Sequence, residues 1–233
     1  MDKINTLKEL LISSENKYKG NTAFYLKDKG GAIYGVSYEK FKSDCDSLGT
    51  ALIYELGAKG KNIAIFMANS YKWCVSYLAV AGGVGTVVPL DKELPCEEFY
   101  NIAEFAEIDT VITDDNGYKT ISRDEERKNT LKIISDEKYE DSISFDDFLA
   151  KGKEHMSLGK RDYLDAVTYH EETAALLFTS GTTDKAKAVM LRQKGIVTPM
   201  FPTYRYILTL TLTLVNRFFE FFHIFYEENA SLY

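Results

Sequence analysis

The chain has 233 residues, of which 45% are hydrophobic and 27% are charged, a composition typical of a globular protein and unlike that of a disordered chain. Its formal net charge is −7 at pH 7, and the lysines are spread along the chain, which together argue against a nucleic-acid-binding surface. The length is compatible with one large domain or two small ones.

The cysteines and the apolar runs indicate a cytoplasmic protein. Cys45, Cys74 and Cys96 are odd in number, far apart and without histidines at metal-ligand spacing, so we interpret them as reduced thiols. The first residues contain no apolar segment of a secretory signal. No apolar run before Thr198 approaches the length of a membrane-spanning helix, so we predict no transmembrane segment.

The first ninety residues alternate between helical and strand-like patterns. Helical spacing of apolar residues predicts a first helix that Gly20 ends, and Ser37 can cap a second helix that ends at Gly57. The continuous apolar run 63–67 is typical of a parallel strand covered on both faces. The predicted elements are a helix over 4–18, a hairpin of strands over 22–26 and 31–36, a helix from 37 to 57, a strand over 63–67, a helix capped at 69–70 and a strand over 86–90.

The alternation continues to the middle of the second half. We predict a helix after Pro95, a strand over 109–113, a charged loop over 123–128, a strand over 131–134 and a helix beginning at Ser144. Residues 151–169 are polar and break the pattern, which favours a linker or surface loop before the next strand. Strands alternating with helices predict an α/β fold with an open, mostly parallel sheet flanked by helices.

One stretch carries candidate chemistry. The apolar run 174–178 predicts a buried strand, and Thr179, Ser180, Gly181, Thr182 and Thr183 follow it directly, with lysines at 185 and 187. Hydroxyl and main-chain N–H groups can surround phosphate oxygens, and a lysine can supply the counter-charge. The alternative is a polar hairpin loop, because residues 188–191 are again apolar and Ser/Thr/Gly runs are commonly loops.

Two other phosphate-binding patterns are excluded. A Walker A loop needs a glycine directly before its lysine and Ser or Thr directly after it, whereas Lys187 lies between Ala186 and Ala188. The glycines at 82, 83 and 85 lack the spacing of a dinucleotide fingerprint and follow a predicted helix instead of opening one. They are more simply explained by tight packing between a helix and a strand.

The stretch resembles the signature of the AMP-forming adenylate ligases, which include acyl-CoA synthetases, peptide-synthetase adenylation domains and luciferases. That signature reads aromatic-Thr-Ser-Gly-Thr-Thr-Gly, a variable residue, then Pro-Lys-Gly-Val. Residues 178–183, Lys187 and Val189 match it in order and spacing. Asp184, Ala186 and Ala188 replace the family's second glycine, its proline and its last glycine.

Weaker resemblances extend over most of residues 1–197. Residues 36–39 resemble the family's Val-Thr-Tyr-x-Glu segment, 62–73 its first core strand and the following helix, and 81–90 its Ala-Gly…Pro-Leu strand. These matches lean toward the fatty acyl-CoA ligase branch. They imply the fold of the N-terminal large domain of acyl-CoA synthetases, in incomplete form.

The resemblance implies acyl transfer that uses ATP, Mg²⁺ and coenzyme A. A fatty acid and ATP form acyl-AMP and pyrophosphate, and coenzyme A then takes the acyl group. By resemblance, the hydroxyls of Thr179, Ser180, Thr182 and Thr183 donate to the β- and γ-phosphates, Gly181 lets the backbone approach, and Lys187 neutralises charge. No catalytic residue and no metal ligand is carried over. His155, His170 and His223 lack partners at catalytic spacing and receive no role, and His170 is expected in a solvated turn.

The resemblance is expected to end after Val197. In the segment 198–233, Thr198 and Pro199 interrupt any helix, Leu208 to Leu214 alternate apolar and polar residues as a strand would, and 218–226 is rich in aromatic residues. An altered reading frame after about residue 197 would account for this apolar tail. Such weakly charged apolar windows are aggregation hazards when exposed.

Several family elements are missing from these 233 residues: the adenine-binding motif, the ribose-binding aspartate, the hinge and the C-terminal lid domain with its lysine. We therefore interpret the chain as a fragment of an AMP-forming acyl-CoA synthetase that is not competent by itself, with a complementary C-terminal polypeptide as a conceivable partner. The alternative is a non-catalytic truncated remnant or an interaction module.

Overall fold

A computed structural model describes residues 4–28, 30–179 and 187–200. Its helices are α1 (Leu7–Tyr18), α2 (Tyr38–Leu56), α3 (Tyr71–Ala79), α4 (Cys96–Phe105), α5 (Asp115–Ile121), α6 (Glu125–Lys128), α7 (Phe145–Ser157) and α8 (Gln193–Val197). Its strands are β1 (Thr22–Lys27), β2 (Ile33–Ser37), β3 (Asn62–Phe66), β4 (Thr86–Pro89), β5 (Thr110–Thr113), β6 (Lys132–Ser135), β7 (Ile143–Ser144), β8 (Thr173–Thr179) and β9 (Lys187–Arg192). A wide helical turn, Val80–Val84, continues α3, and a short 3₁₀ turn, Thr198–Met200, follows α8.

Seven strands form one mainly parallel sheet in the order β7-β6-β5-β3-β4-β8-β9. Every neighbouring pair is parallel except β8–β9, which is antiparallel. Strands β1 and β2 form a separate antiparallel hairpin. The α/β fold with a mostly parallel sheet flanked by helices, predicted from the alternation of patterns, is confirmed.

Side-chain caps explain where several helices begin. The hydroxyls of Ser37, Ser70 and Ser144 accept hydrogen bonds from backbone N–H groups in the first turns of α2, α3 and α7. These bonds satisfy donors that have no partner inside the helix. Helix α2 ends at Gly57, whose φ of 61° is a left-handed conformation that glycine adopts without steric cost. The predicted boundaries of α2 and α3 depended on these residues and are confirmed.

The sheet buries one hydrophobic cluster on each face. The first cluster lies under α1, α2, α3 and α7 and includes Phe41, Leu48 and Phe148. The second cluster lies under α4 and α5 and includes Phe66, Phe99 and Ile121. Because both faces are covered, β3 is buried from Ile63 to Phe66, as a continuous apolar run predicts.

The prediction of a linker or surface loop over residues 151–169 needs correction in its first part, because only residues 158–169 of this segment lack a helix or strand. Helix α7 continues to Ser157, and Tyr163 is only 1% exposed. The Tyr163 ring fills space that exists because position 49 has no side chain: a Cβ there would lie 2.2 Å from the ring. The segment is therefore anchored in the first cluster, and a single buried aromatic residue among polar neighbours explains why the pattern was misleading.

Several short elements were not predicted. Residues 123–128, expected to form a charged loop, contain α6, and neither α5 nor the two-residue strand β7 was expected. Asp114 and Asp124 cap α5 and α6 through hydrogen bonds to Gly117 N and Arg127 N, both at 2.9 Å. Helices of four and seven residues are too short to show an apolar periodicity, so only their caps could have indicated them.

Close approach of α2 and α7 provides the first prediction. A Cβ at Gly152 would lie 1.8 Å from the Ser47 carbonyl oxygen, so Gly152→Ala must push the two helices apart. Alanine gains about 1 kcal/mol of helix propensity, but overpacking against backbone typically costs about 1–3 kcal/mol. We expect a net loss of unfolding free energy for Gly152→Ala, measured by urea denaturation.

The matched control is Gly20→Ala, because a Cβ at Gly20 has nothing within 4 Å. That variant should stay within about 0.5 kcal/mol of the parent, as is usual for surface positions. Equal stability of the two variants would show that α2 and α7 are not packed as closely as described.

Candidate phosphate-binding site

Strand β8 leads into the candidate site from inside the sheet. It pairs in parallel with β4, with Val87 opposite Ala175, and both Ala174 and Ala175 are fully buried. Its carboxyl end at Thr179 therefore lies at the same edge of the sheet as the carboxyl ends of β3, β4 and β5. In open α/β sheets, ligands bind outside this edge.

The return strand β9 runs antiparallel to β8 with Thr179 opposite Lys187. The structure thus brings the backbones of two predicted site residues side by side at the two ends of the 180–186 segment. Ser180, Gly181, Thr182 and Thr183 lie outside the described residues. The two paired strands on either side of 180–186 fit both the phosphate loop and the polar hairpin considered from the sequence. The assignment of these four residues, Thr179 and Lys187 to a binding site therefore stays a prediction.

One face of the hairpin packs against the second hydrophobic cluster. Leu176 and Phe178 contact this cluster, and the Phe178 ring meets the Phe105 ring edge-on, with centroids 5.8 Å apart and planes at 88°. On β9, Val189 and Met190 are 44% and 69% exposed. Strand β8 is therefore held by packing against the second cluster, and on β9 Leu191 packs against the first cluster.

Hydrogen bonds close the hairpin at the end opposite the loop. Arg192 forms a salt bridge with Glu171, with the Arg192 Nη1–Glu171 Oε2 distance at 2.5 Å. Gln193 N donates to the Glu172 carbonyl oxygen at 2.9 Å, and Lys194 N donates to the His170 carbonyl oxygen at 3.0 Å. His170 lies in an exposed turn, 3.4 Å from Glu171, in agreement with the expected solvated turn.

Gln193 is a structural residue that the sequence did not reveal. Its side chain is buried at 2% exposure, its Oε1 accepts from Leu7 N at 3.0 Å, and its Nε2 donates to the Ala81 carbonyl oxygen at 2.6 Å. The amide thus joins the end of β9 to α1 and to the turn before β4. A glutamine within a polar run gives no sequence signal for partners more than a hundred residues away.

Loss of this amide should destabilise the hairpin. Gln193→Ala leaves the Leu7 N–H and the Ala81 carbonyl without their partner, and each unsatisfied buried group costs about 1–3 kcal/mol. We expect a loss of unfolding free energy of about 2 kcal/mol or more, and faster amide hydrogen exchange in β9.

Lys194→Ala is the control for Gln193→Ala. The Lys194 side chain is exposed and only its backbone N–H takes part in the closure. Its stability and exchange should match those of the parent, and a Gln193→Ala variant that also matched the parent would rule out the anchoring role.

Acidic side chains near the carboxyl edge have structural partners. The Asp114 carboxylate accepts from Ala68 N at 2.9 Å and from Gly117 N at 2.9 Å. Burial raises the pKa of Asp136, and Lys72, 3.2 Å from its Oδ1, acts in the opposite direction. In the part of the chain that the structure describes, no three His, Cys, Asp or Glu side chains are grouped to hold a metal ion.

An α/β sheet with a Ser/Thr/Gly-rich loop segment at its carboxyl edge defines a class of candidate phosphate-binding domains. The model of the AMP-binding enzyme family matches residues 13–227, and the chain therefore belongs to that family. The matched range extends past Val197, and the predicted domain boundary there stays a prediction. Within residues 4–28, 30–179 and 187–200, no helix is long and apolar enough to cross a membrane.

Curated relatives include acyl-CoA ligases. The chain is 26% identical over 218 residues to fatty acyl-CoA synthetase B of Dictyostelium discoideum, covering 84% of this chain and 31% of the relative. It is 28% identical over 179 residues to long-chain-fatty-acid–CoA ligase 5 of Rattus norvegicus, covering 71% of this chain and 26% of the relative. The chain thus spans about a third of the length of these relatives, or less.

Solved structures share the fold. An anthranilate CoA ligase in complex with anthranoyl-AMP superposes with a TM-score of 0.69 at 17% identity, covering 88% of this chain and 37% of that one. Acetoacetyl-CoA synthetase from Streptomyces lividans superposes with a TM-score of 0.66 at 16% identity, covering 84% and 31%. The fold class, with its mainly parallel sheet, is that of the N-terminal domain of acyl-CoA synthetases.

Proposed function

We propose that the chain is the phosphate-loop part of an AMP-forming fatty acyl-CoA synthetase. In the complete reaction a fatty carboxylate oxygen attacks the α-phosphorus of ATP, and the bond to the β-phosphate bridge breaks to release pyrophosphate. The thiol of coenzyme A then attacks the acyl carbonyl, and AMP leaves. Family membership and the fatty acyl-CoA ligases among the relatives support this assignment.

The observation that carries the proposal is the pairing of Thr179 with Lys187 at the carboxyl edge. The paired strand ends place both ends of the seven-residue segment 180–186 at the carboxyl edge of the sheet. There the hydroxyls of Thr179, Ser180, Thr182 and Thr183 would donate to the β- and γ-phosphates, Gly181 would admit their close approach, and Lys187 would offset their charge.

Mg²⁺ would share the negative charge of the phosphates. This ion keeps several waters and is usually bound through substrate phosphates with one or two carboxylates, so a protein site of three ligands is not required. We assign no metal ligand to the described residues.

The chain alone should not complete the ligation. The motifs that bind adenine and ribose and the lysine of the C-terminal lid domain do not occur in these 233 residues. Losing groups that orient both substrates forfeits effects worth up to roughly 7–11 kcal/mol of the barrier. A complementary C-terminal polypeptide would have to supply them; the alternative is a non-catalytic remnant or interaction module.

Binding of ATP separates these two functions. With ATP and Mg²⁺ in equilibrium dialysis, Lys187→Met should weaken binding about 10-fold to 100-fold, because a hydrogen bond to a charged group contributes about 1.5–3 kcal/mol. Lys194→Met is the matched control, because it changes the net charge by the same amount at the other end of the hairpin. It should bind ATP as tightly as the parent does. Binding that is absent in the parent, or equal in both variants, would favour the remnant.

Asp184 should weaken this site. The family has glycine there, and a carboxylate about 4 Å from a phosphate oxygen costs roughly 1 kcal/mol in water and about 4 kcal/mol at an effective dielectric constant of 20. We expect Asp184→Gly to bind ATP at least about fivefold more tightly.

Asp184→Asn separates charge from backbone freedom, since it removes the carboxylate but keeps a side chain of similar size. An asparagine variant as tight as the glycine variant would assign the penalty to charge. Weaker binding by both variants than by the parent would contradict the repulsion and indicate that Asp184 assists binding, for example through Mg²⁺.

A further inference from the structure

One large apolar side chain at the surface contacts the strand that leads into the candidate site. Phe105 is the last residue of α4 and is 68% exposed. Its ring meets the Phe178 ring edge-on, and Phe178 directly precedes Thr179, the last residue of β8. Phe105 therefore contacts the chain one residue before the first predicted phosphate donor.

The backbone that carries Phe105 is fixed where α4 ends. The Asn62 side-chain amide, at the start of β3, donates to the Ala106 carbonyl oxygen at 2.8 Å. Glu107 follows with a φ of 51°, a left-handed conformation that ends helices but is unfavourable for a residue with a Cβ. Because α4 is also packed on the second cluster, the Phe105 ring projects from a well-defined support.

The facing strand β9 offers little cover to the Phe178 ring. Phe178 lies directly opposite Ala188, whose side chain is a single exposed methyl group. Side chains of directly opposite residues lie on the same face of an antiparallel pair, so a larger residue at 188 would have packed beside this ring. The Phe105 ring supplies an aromatic contact that Ala188 cannot.

This contact differs from ordinary core packing in what its loss should change. Hydrophobic stabilisation scales with the apolar area removed from water, and a side chain as exposed as Phe105 contributes little to the free energy of unfolding. The same contact restricts the Phe178 side chain, and with it the end of β8. Its effect should therefore be local.

We propose that Phe105 is a positioning residue for the candidate phosphate site and acts through Phe178 on the backbone at Thr179. The proposal rests on the proposed function, because the ligand of that site is the triphosphate of ATP. Without the Phe105 ring, the end of β8 separates from β9 more often. ATP then binds only the fraction of molecules in which Thr179 and Lys187 are paired, so its apparent affinity falls.

The test compares three variants of the full chain with the parent. Phe105→Ala removes the ring, and Phe105→Tyr keeps it. Leu158→Ala is the matched control, because it removes an apolar side chain of equal exposure, 69%, at the end of α7 on the other face of the sheet. Each protein is measured by urea unfolding, by amide hydrogen exchange at residues 177–179 without nucleotide, and by equilibrium dialysis with ATP and Mg²⁺.

Phe105→Ala should speed amide exchange at 177–179 by about twofold to tenfold, the factor that corresponds to the roughly 0.5–1.5 kcal/mol of an aromatic pair. It should weaken ATP binding about twofold or more, while its free energy of unfolding stays close to that of Leu158→Ala. Phe105→Tyr should match the parent in exchange and in ATP binding, because the ring is retained.

The exchange and binding measurements fail in different ways. Unchanged exchange in Phe105→Ala, an equal effect of Leu158→Ala, or no recovery in Phe105→Tyr would overturn the proposal. Faster exchange with unchanged ATP binding would overturn it as well, because the ring would then hold the strand without affecting the site. A parent that binds no ATP would contradict the proposed function, whereas faster exchange in Phe105→Ala would still support the positioning of the end of β8.

Discussion

Strand β8 has neighbours on both sides, β4 in parallel and β9 in antiparallel orientation, and the position of the candidate site depends on this arrangement. The parallel pairing directs the end of β8 to the carboxyl edge of the sheet. The antiparallel pairing returns the chain beside it, so residues 180–186 must begin and end at nearly the same place. Ala174 and Ala175 are fully buried in the first cluster and Leu176 packs against the second, so β8 is enclosed by packing on both faces.

Long-range contacts hold the other end of this hairpin. Gln193 joins the end of β9 to α1 and to the turn before β4, and Arg192 with Glu171 closes the exposed side. The strand ends that flank residues 180–186 therefore belong to a hairpin whose other end is fixed by these contacts.

Most of the fold was predictable because its signals are local. The apolar run 63–67, the caps Ser37 and Ser70, and Gly57 each determine a strand or a helix end through neighbouring residues alone. The incorrect prediction for residues 151–169 arose from a contact between residues distant in sequence. Tyr163 packs beside Gly49, and the polar neighbours of Tyr163 gave no sign of this contact. Helices α5 and α6 were missed because they are too short for a periodic pattern.

The candidate site was less predictable than the fold. The order of residues 178–189 supplied the family resemblance, and the matched family model supports it. The structure adds the pairing of Thr179 with Lys187 and the edge at which they lie. Contacts of the hydroxyls and of Lys187 with phosphates are a property of the bound state, so neither periodicity nor the fold of the free chain determines them.

Hydrogen exchange of the whole chain, with and without ATP and Mg²⁺, tests most directly whether this hairpin presents a phosphate loop. If backbone N–H groups at 180–186 bind phosphate oxygens, their hydrogen exchange should slow markedly when nucleotide is added. Amides in α7, which contains no predicted site residue, should exchange as before. Unchanged exchange at 180–186 at saturating ATP would contradict the account.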